Sequence, residues 1–267
     1  MNGYYPSRII CLTEETTETL YRLGEQDRIV GISGFTVRPP QARKEKPKVS
    51  AFIDADIEKI IALKPDLVIG YSDIQANIAQ QLIAKGITVW INNYRSIDGI
   101  LSMMVQLGAL VGKQHEAITL VDNIKRTLDA MAEESRKWKI RPKVYFEEWY
   151  DPLISGSQWV SELIELAGGI DIYRDNAIQA LAKGRIIADP EDVVDKNPDI
   201  ILASWCGKMV KKDKIISRPQ WDKISAVKNN AIYEIKSPLI LQPGPAAVTD
   251  GVREIVEIVR RWVTLKK

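Results

Sequence analysis

Along this chain, short apolar runs alternate with longer stretches whose apolar residues recur every three or four positions. Residues 8–12, 29–32, 66–70 and 88–91 are short runs dominated by Ile, Val and Leu, as expected of strands buried on both faces. Between them, residues 15–23, 56–63, 73–84 and 97–111 carry helical spacing. The alternation resumes after Pro142. Residues 143–147, 200–203 and 231–235 predict strands, and residues 159–167, 190–195 and 246–263 predict helices. Strands alternating with helices at this spacing predict βα units and parallel sheets.

The two halves share a pattern. Asp56, Glu58, Pro65 and Asp66 precede the run Leu67-Val68-Ile69; Asp189, Glu191, Pro198 and Asp199 precede Ile200-Ile201-Leu202, and every matched pair is 133 positions apart. In each copy an Asp suits a helix N-cap, a Glu suits the positive end of the helix dipole, and Pro-Asp ends the helix before a buried strand. The pattern predicts two similar α/β lobes. Between them, Ile118, Val121, Ile124, Leu128 and Met131 recur at helical spacing with no Gly or Pro from 114 to 139. A helix of about 25 residues spans roughly 37 Å, enough to join two lobes as a rigid backbone. The expected organisation is an N-terminal lobe over 1–112, a linking helix over 113–140 and a C-terminal lobe over 141–267.

Composition removes several function classes. Of 267 residues 45% are hydrophobic and 27% charged, and 37 basic against 35 acidic side chains leave a net charge of +2. That balance asks for no nucleic acid. No apolar run is long enough to cross a membrane. The first eight residues lack the apolar segment of a secretory signal, which points to the cytoplasm if Met1 is the native start. Cys11 and Cys206 make no disulfide framework and read as one core thiol and one loop thiol. The single histidine, His115, falls in the linking helix, so neither a metal site built by the protein alone nor a Ser–His–acid triad is expected. No P-loop, G-x-G-x-x-G or nucleophile elbow occurs. No catalytic residue and no cofactor is assigned.

Ligands of parallel sheets bind beyond the carboxyl ends of the strands. In the first half these positions hold Thr13, Glu14, Phe35, Arg38, Phe52, Tyr71, Asp73 and Tyr94; in the second they hold Glu148, Trp149, Tyr150, Trp205, Cys206, Gln242 and Pro243. Aromatic residues are only 7% of the chain, so their density here is notable. The offset of 133 matches Phe52 with Arg185. An aromatic face on one lobe, with Arg185 and Arg38 as cations, suits a flat or anionic ligand. Cys206 beside Trp205 could ligate a soft metal centre within a bound chelate. Glu58 and Glu191, one per lobe, serve either the helix dipoles or a docking partner.

On these segments the chain resembles the solute-binding proteins of cobalamin, haem and ferric-siderophore ABC importers. The carrying residues are Arg8-Ile9-Ile10-Cys11-Leu12, Ile29-Val30-Gly31-Ile32-Ser33, Ala62-Leu63-Lys64-Pro65-Asp66, Ile164-Glu165-Leu166-Ala167-Gly168-Gly169 and Asn197-Pro198-Asp199-Ile200-Ile201. The resemblance implies two Rossmann-like lobes joined by one long helix, with a metal chelate held in a cleft between them and no enzymatic turnover. It also implies docking of Glu58 and Glu191 on an ABC permease, a monomer, and a periplasmic or cell-surface location. Phe35 and Phe52 fit the cobalamin-binding branch; Arg185 departs from it and favours an anionic ligand. Two alternatives stay open: a cytoplasmic carrier or sensor of a metal chelate, and a chelatase-like enzyme using Glu147, Glu148 or Cys206.

Overall fold

A computed structural model of the chain describes residues 3–266. It divides into two compact units, residues 1–94 with 98–123 and residues 95–97 with 124–267. In the first, β1 (Ile9–Cys11), β2 (Ile29–Ser33), β3 (Lys48–Ser50), β4 (Leu67–Tyr71) and β5 (Val89–Asn92) form a sheet in the order β3-β2-β1-β4-β5. All its pairings are parallel. This is the Rossmann-type order, and the chain reverses direction of travel between β1 and β4, where such sheets bind ligands. Helices α1 (Glu14–Arg22), α2 (Pro40–Glu45), α3 (Ile57–Ala62), α4 (Ala76–Ala84) and α5 (Ile97–Leu110) connect and flank it. Ile10, Leu12, Val49, Ile60, Val68, Ile78 and Leu82 pack as one buried cluster. Cys11 is fully buried in β1, and burial pushes its thiol up to about 12.

The second unit has β6 (Lys143–Tyr150), β7 (Leu153–Ser155), β8 (Ile170–Asp171), β9 (Ile200–Ala203) and β10 (Ile232–Glu234), in the order β10-β9-β6-β7, with β8 also on β6. Parallel pairing holds for β6 with β8 and β9, and for β9 with β10. The sequence reading stops β6 at residue 147; it runs on to Tyr150 and turns back antiparallel as β7. The register slips between Glu147 and Trp149, leaving Glu148 as the extra residue of a bulge. Trp221, Tyr145, Ile201, Val193 and Ile232 are buried in the core of this unit.

Helix α6 (Gln114–Ser135) carries the chain from one unit to the other, and the boundary falls inside it. It ends four residues before the expected 139. Ser135 Oγ bonds the carbonyls of Ala132 and Leu166, and turn bonds from Lys137 and Trp138 replace the helical ladder.

The internal repeat extends beyond the residues that suggested it. Lys64 and Asn197, again 133 apart, both adopt left-handed backbone at φ +47° and +45° where α3 and α7 (Glu191–Lys196) end. Asp66 accepts from the N–H of Arg8, and Asp199 from that of Lys143. The Arg8 guanidinium caps the carbonyl of Leu63, and the Lys143 ammonium that of Lys196. Each lobe thus clasps the start of its first strand to the end of the matching helix.

Candidate functional site

In the first lobe the loops beyond the strand ends are tied together by buried polar groups. Gln75, fully buried, accepts from the N–H of Tyr71 at 2.8 Å and donates to the carbonyls of Phe52 at 3.0 Å and Leu12 at 3.4 Å. One side chain therefore fixes the loops after β1, β3 and β4. Glu14 accepts from the N–H groups of Val37 and Arg38, which fixes the loop after β2. Arg43 donates to the carbonyls of Gly34 and Thr36 in the same loop. Held on this frame, Phe35 is 59% exposed and Phe52 39%, so both rings are offered to solvent from a rigid base. Asp73 is also exposed. A shallow groove of about 670 Å³, lined by Ser72, Asp73, Ala76, Ile83, Ile91 and Asn93, opens beside the end of β4.

Two first-lobe expectations are corrected. Tyr71 is buried: its hydroxyl donates to the Tyr94 carbonyl at 2.7 Å and its ring meets that of Tyr94 edge-on at 5.4 Å, so it braces the loop after β5. Arg38 is not a cation held open for ligand, because its guanidinium lies 3.3 Å from Glu18, which also pairs with Arg22. Sequence reasoning missed the depth of this end of α1. Glu14, Glu15 and Glu18 are all buried, and burial pushes Glu14 and Glu15 up to about 7. Thr16, Thr17 and Thr19, interspersed with and following these glutamates, were the available signal, since these short side chains are buried with them.

In the second lobe, the extended β6 carries two adjacent glutamates into two different ion pairs. Glu147 is fully buried and receives the Arg218 guanidinium in a fork at 2.5 and 3.0 Å, the Trp205 indole N–H at 3.1 Å and the Tyr145 hydroxyl at 3.3 Å. Glu148, displaced by the bulge, receives Arg185 at 2.5 and 3.0 Å, and Arg185 also donates to the Ser155 carbonyl. Arg185 is only 5% exposed. The expectation that it presents a free cation opposite Phe52 is therefore corrected: its charge is matched from within. Trp205 is likewise buried rather than lining an open face.

What remains outward is an aromatic ledge. Trp149 and Tyr150 are half-buried, with rings 5.0 Å apart, and Tyr150 rests on Trp205 at 4.5 Å. Lys208 and Lys214 lie over these rings. Cys206 is exposed beside them; burial of its sulfur and the nearby Glu148 raise its pKa, so it is a thiol at neutral pH. Gln242 is half-buried. Glu58 and Glu191 are both exposed in the first turns of α3 and α7; Asp56 caps the N–H of Lys59, Asp189 that of Glu191, and Glu191 accepts from Gln220. His115 is exposed on α6. Among the described residues, no group of three or more His, Cys, Asp or Glu side chains could hold a metal ion, and no helix is long and apolar enough to cross a membrane.

The family model of the periplasmic binding proteins matches residues 9–239, most of the chain. The chain belongs to that family. An uncharacterized ABC transporter substrate-binding lipoprotein from Bacillus subtilis is 28% identical over 94% of this chain and 79% of its own length. The vitamin B12-binding protein of Vibrio campbellii is 27% identical over 94% of this chain and 88% of its own. Among solved structures, a possible iron-binding periplasmic solute-binding protein from Staphylococcus epidermidis superposes with a TM-score of 0.80 at 25% identity, covering 96% of this chain and 99% of that one. This periplasmic binding protein is thus a substrate-binding component of the ABC-transporter type and not an enzyme. Glu147 and Glu148, named for the chelatase alternative, are both engaged by arginines.

Proposed function

We propose that the protein captures a metal chelate, a corrinoid, tetrapyrrole or ferric siderophore, on the loops beyond its strand ends and hands it to an ABC permease. The observation that carries this reading is the set of outward rings on braced loops: Phe35 and Phe52 in one lobe, Trp149 and Tyr150 in the other. Rigid aromatic faces bind planar or bulky apolar ligands with little ordering cost. A vitamin B12-binding relative and a possible iron-binding structural neighbour support the ligand class. In this reading Asp73, Cys206 and Gln242 complete the contact set, with Arg38, Tyr71, Arg185 and Trp205 acting as supports. Glu58 and Glu191, exposed and symmetrically placed on the two copies of the repeat, are the docking carboxylates for cations of the permease. The protein works as a monomer.

Titrating the purified protein with cyanocobalamin, haemin and a set of ferric siderophores, followed by tryptophan quenching, tests this. Saturable quenching by one probe is expected, with Phe52→Ala and Trp149→Ala each weakening it at least about tenfold, a loss of roughly 1.4 kcal/mol. No saturable binding by any probe overturns the function, and unchanged affinity in both variants overturns the site.

A further inference from the structure

We infer that the second-lobe ledge selects a chelate carrying peripheral carboxylates or other anionic groups, and that Lys208 and Lys214 are the residues that read this charge. The inference rests on the chelate-binding function proposed above and names its ligand class. Taken alone, Glu147 and Glu148 at the end of β6 would repel an anion. Both are neutralised by forked guanidinium groups, Glu147 by Arg218 and Glu148 by Arg185. With the glutamates matched, the ledge is bordered by the cations Lys208 and Lys214 and by the exposed carboxylate of Asp151, a net positive balance. Lys208 Nζ lies 4.9 Å from the Trp149 ring centroid and 5.6 Å from that of Tyr150, and Lys214 Nζ lies 4.5 Å from that of Tyr150.

Both lysines are exposed, and neither has a carboxylate within ion-pair distance among the described residues. Two ammonium groups within about 6 Å of one phenol ring give that ring a positive surround, with the ring quadrupole holding the cations near it. An anionic substituent brought to this ring is attracted by both cations, whereas a neutral or cationic one is not. The positive bias is local. The whole chain carries only +2, while residues 206–214 hold Lys208, Lys211, Lys212 and Lys214 against the single acid Asp213. The aromatic rings supply affinity for the body of the chelate; the lysines supply discrimination by charge.

The test compares probes of different charge on the same protein: haemin and a ferric tricatecholate as anions, cyanocobalamin and ferrichrome as neutral chelates, and ferrioxamine as a cation. Affinities are measured for the wild type and for Lys208→Gln, Lys214→Gln and the double Lys208→Glu/Lys214→Glu variant. The lysines are solvent-facing, so the variants keep the fold, and circular dichroism verifies it. An anionic probe is expected to bind best. Each Gln variant should weaken it roughly fivefold, the worth of one partly exposed charge pair, and the double reversal should weaken it much further. Preferred binding of a neutral or cationic probe, or anionic binding that the variants leave unchanged, overturns the inference while the chelate-binding function stands. Failure of every probe to bind overturns that function, and the inference with it.

Discussion

Glu15 offers a quantitative test of how the first lobe is held. Its side chain is 1% exposed; one oxygen accepts from the Thr13 hydroxyl at 2.6 Å and the other has no partner. Burial is the main reason its pKa rises from 4.5 to about 7. The folded protein therefore holds a proton that the unfolded chain has released across the window from pH 4.5 to 7. Stability must fall as pH rises through that window, with the full penalty present above it. At about 1.36 kcal/mol per pH unit, the penalty on the ionised form is about 3 kcal/mol. Glu15→Gln removes it while keeping shape and an acceptor for Thr13. The variant should match the wild type near pH 4.5 and exceed it by up to about 3 kcal/mol at pH 8. Glu14, raised to about 7 by its own burial, keeps part of the pH dependence in both proteins. Urea unfolding at several pH values measures the curves, and hydrogen exchange of α1 localises the effect. Parallel stability curves for the two proteins would refute the account.

Other outcomes follow from features described above. Arg218→Ala leaves Glu147 fully buried without its cation and should cost about 3–5 kcal/mol in urea unfolding. Lys64→Gly relieves a left-handed backbone and should stabilise by roughly 0.5–1 kcal/mol. The equivalent Asn197→Gly should not, because Asn tolerates that conformation and its side chain accepts from the N–H of Ser225. Glu58→Lys with Glu191→Lys should abolish chelate uptake in a reconstituted transporter, with chelate affinity held within about twofold, as expected of exposed charges outside the binding loops.

The fold was legible because parallel strands buried on both faces announce themselves as apolar runs, and because the repeat placed the same cap, dipole and Pro-Asp signals in both lobes. The short strand β3 escaped, being three residues between Pro47 and an exposed loop. So did the β6–β7 hairpin: Asp151-Pro152 reads as the end of a strand, and the three residues Leu153-Ile154-Ser155 that return are too few to show a period of two. The site was legible in its position and its aromatics, less so in its charges. Spacing shows that Arg185 stands opposite Phe52 in the repeat; it cannot show that a bulge turns Glu148 towards that guanidinium. Nor does a pattern of residue types distinguish Tyr71 and Trp205, which brace loops from within, from Phe35 and Phe52, which face outward. The deciding quantity is pairwise geometry, absent from a one-dimensional pattern.

The clasps at Arg8 and Lys143 lie at the strand-entry pole of each lobe, and there the two halves still agree, 64 with 197 and 66 with 199, as do the helix starts, 56 with 189 and 58 with 191. At the opposite pole the same alignment sets a phenylalanine against a buried arginine. The halves have kept their foundations and rewritten their roofs. Specificity in such a protein can then be re-engineered, or evolve, one roof at a time: loops beyond the strand ends can be exchanged for those of a relative with a different cargo, while the clasped bases carry the architecture through the change.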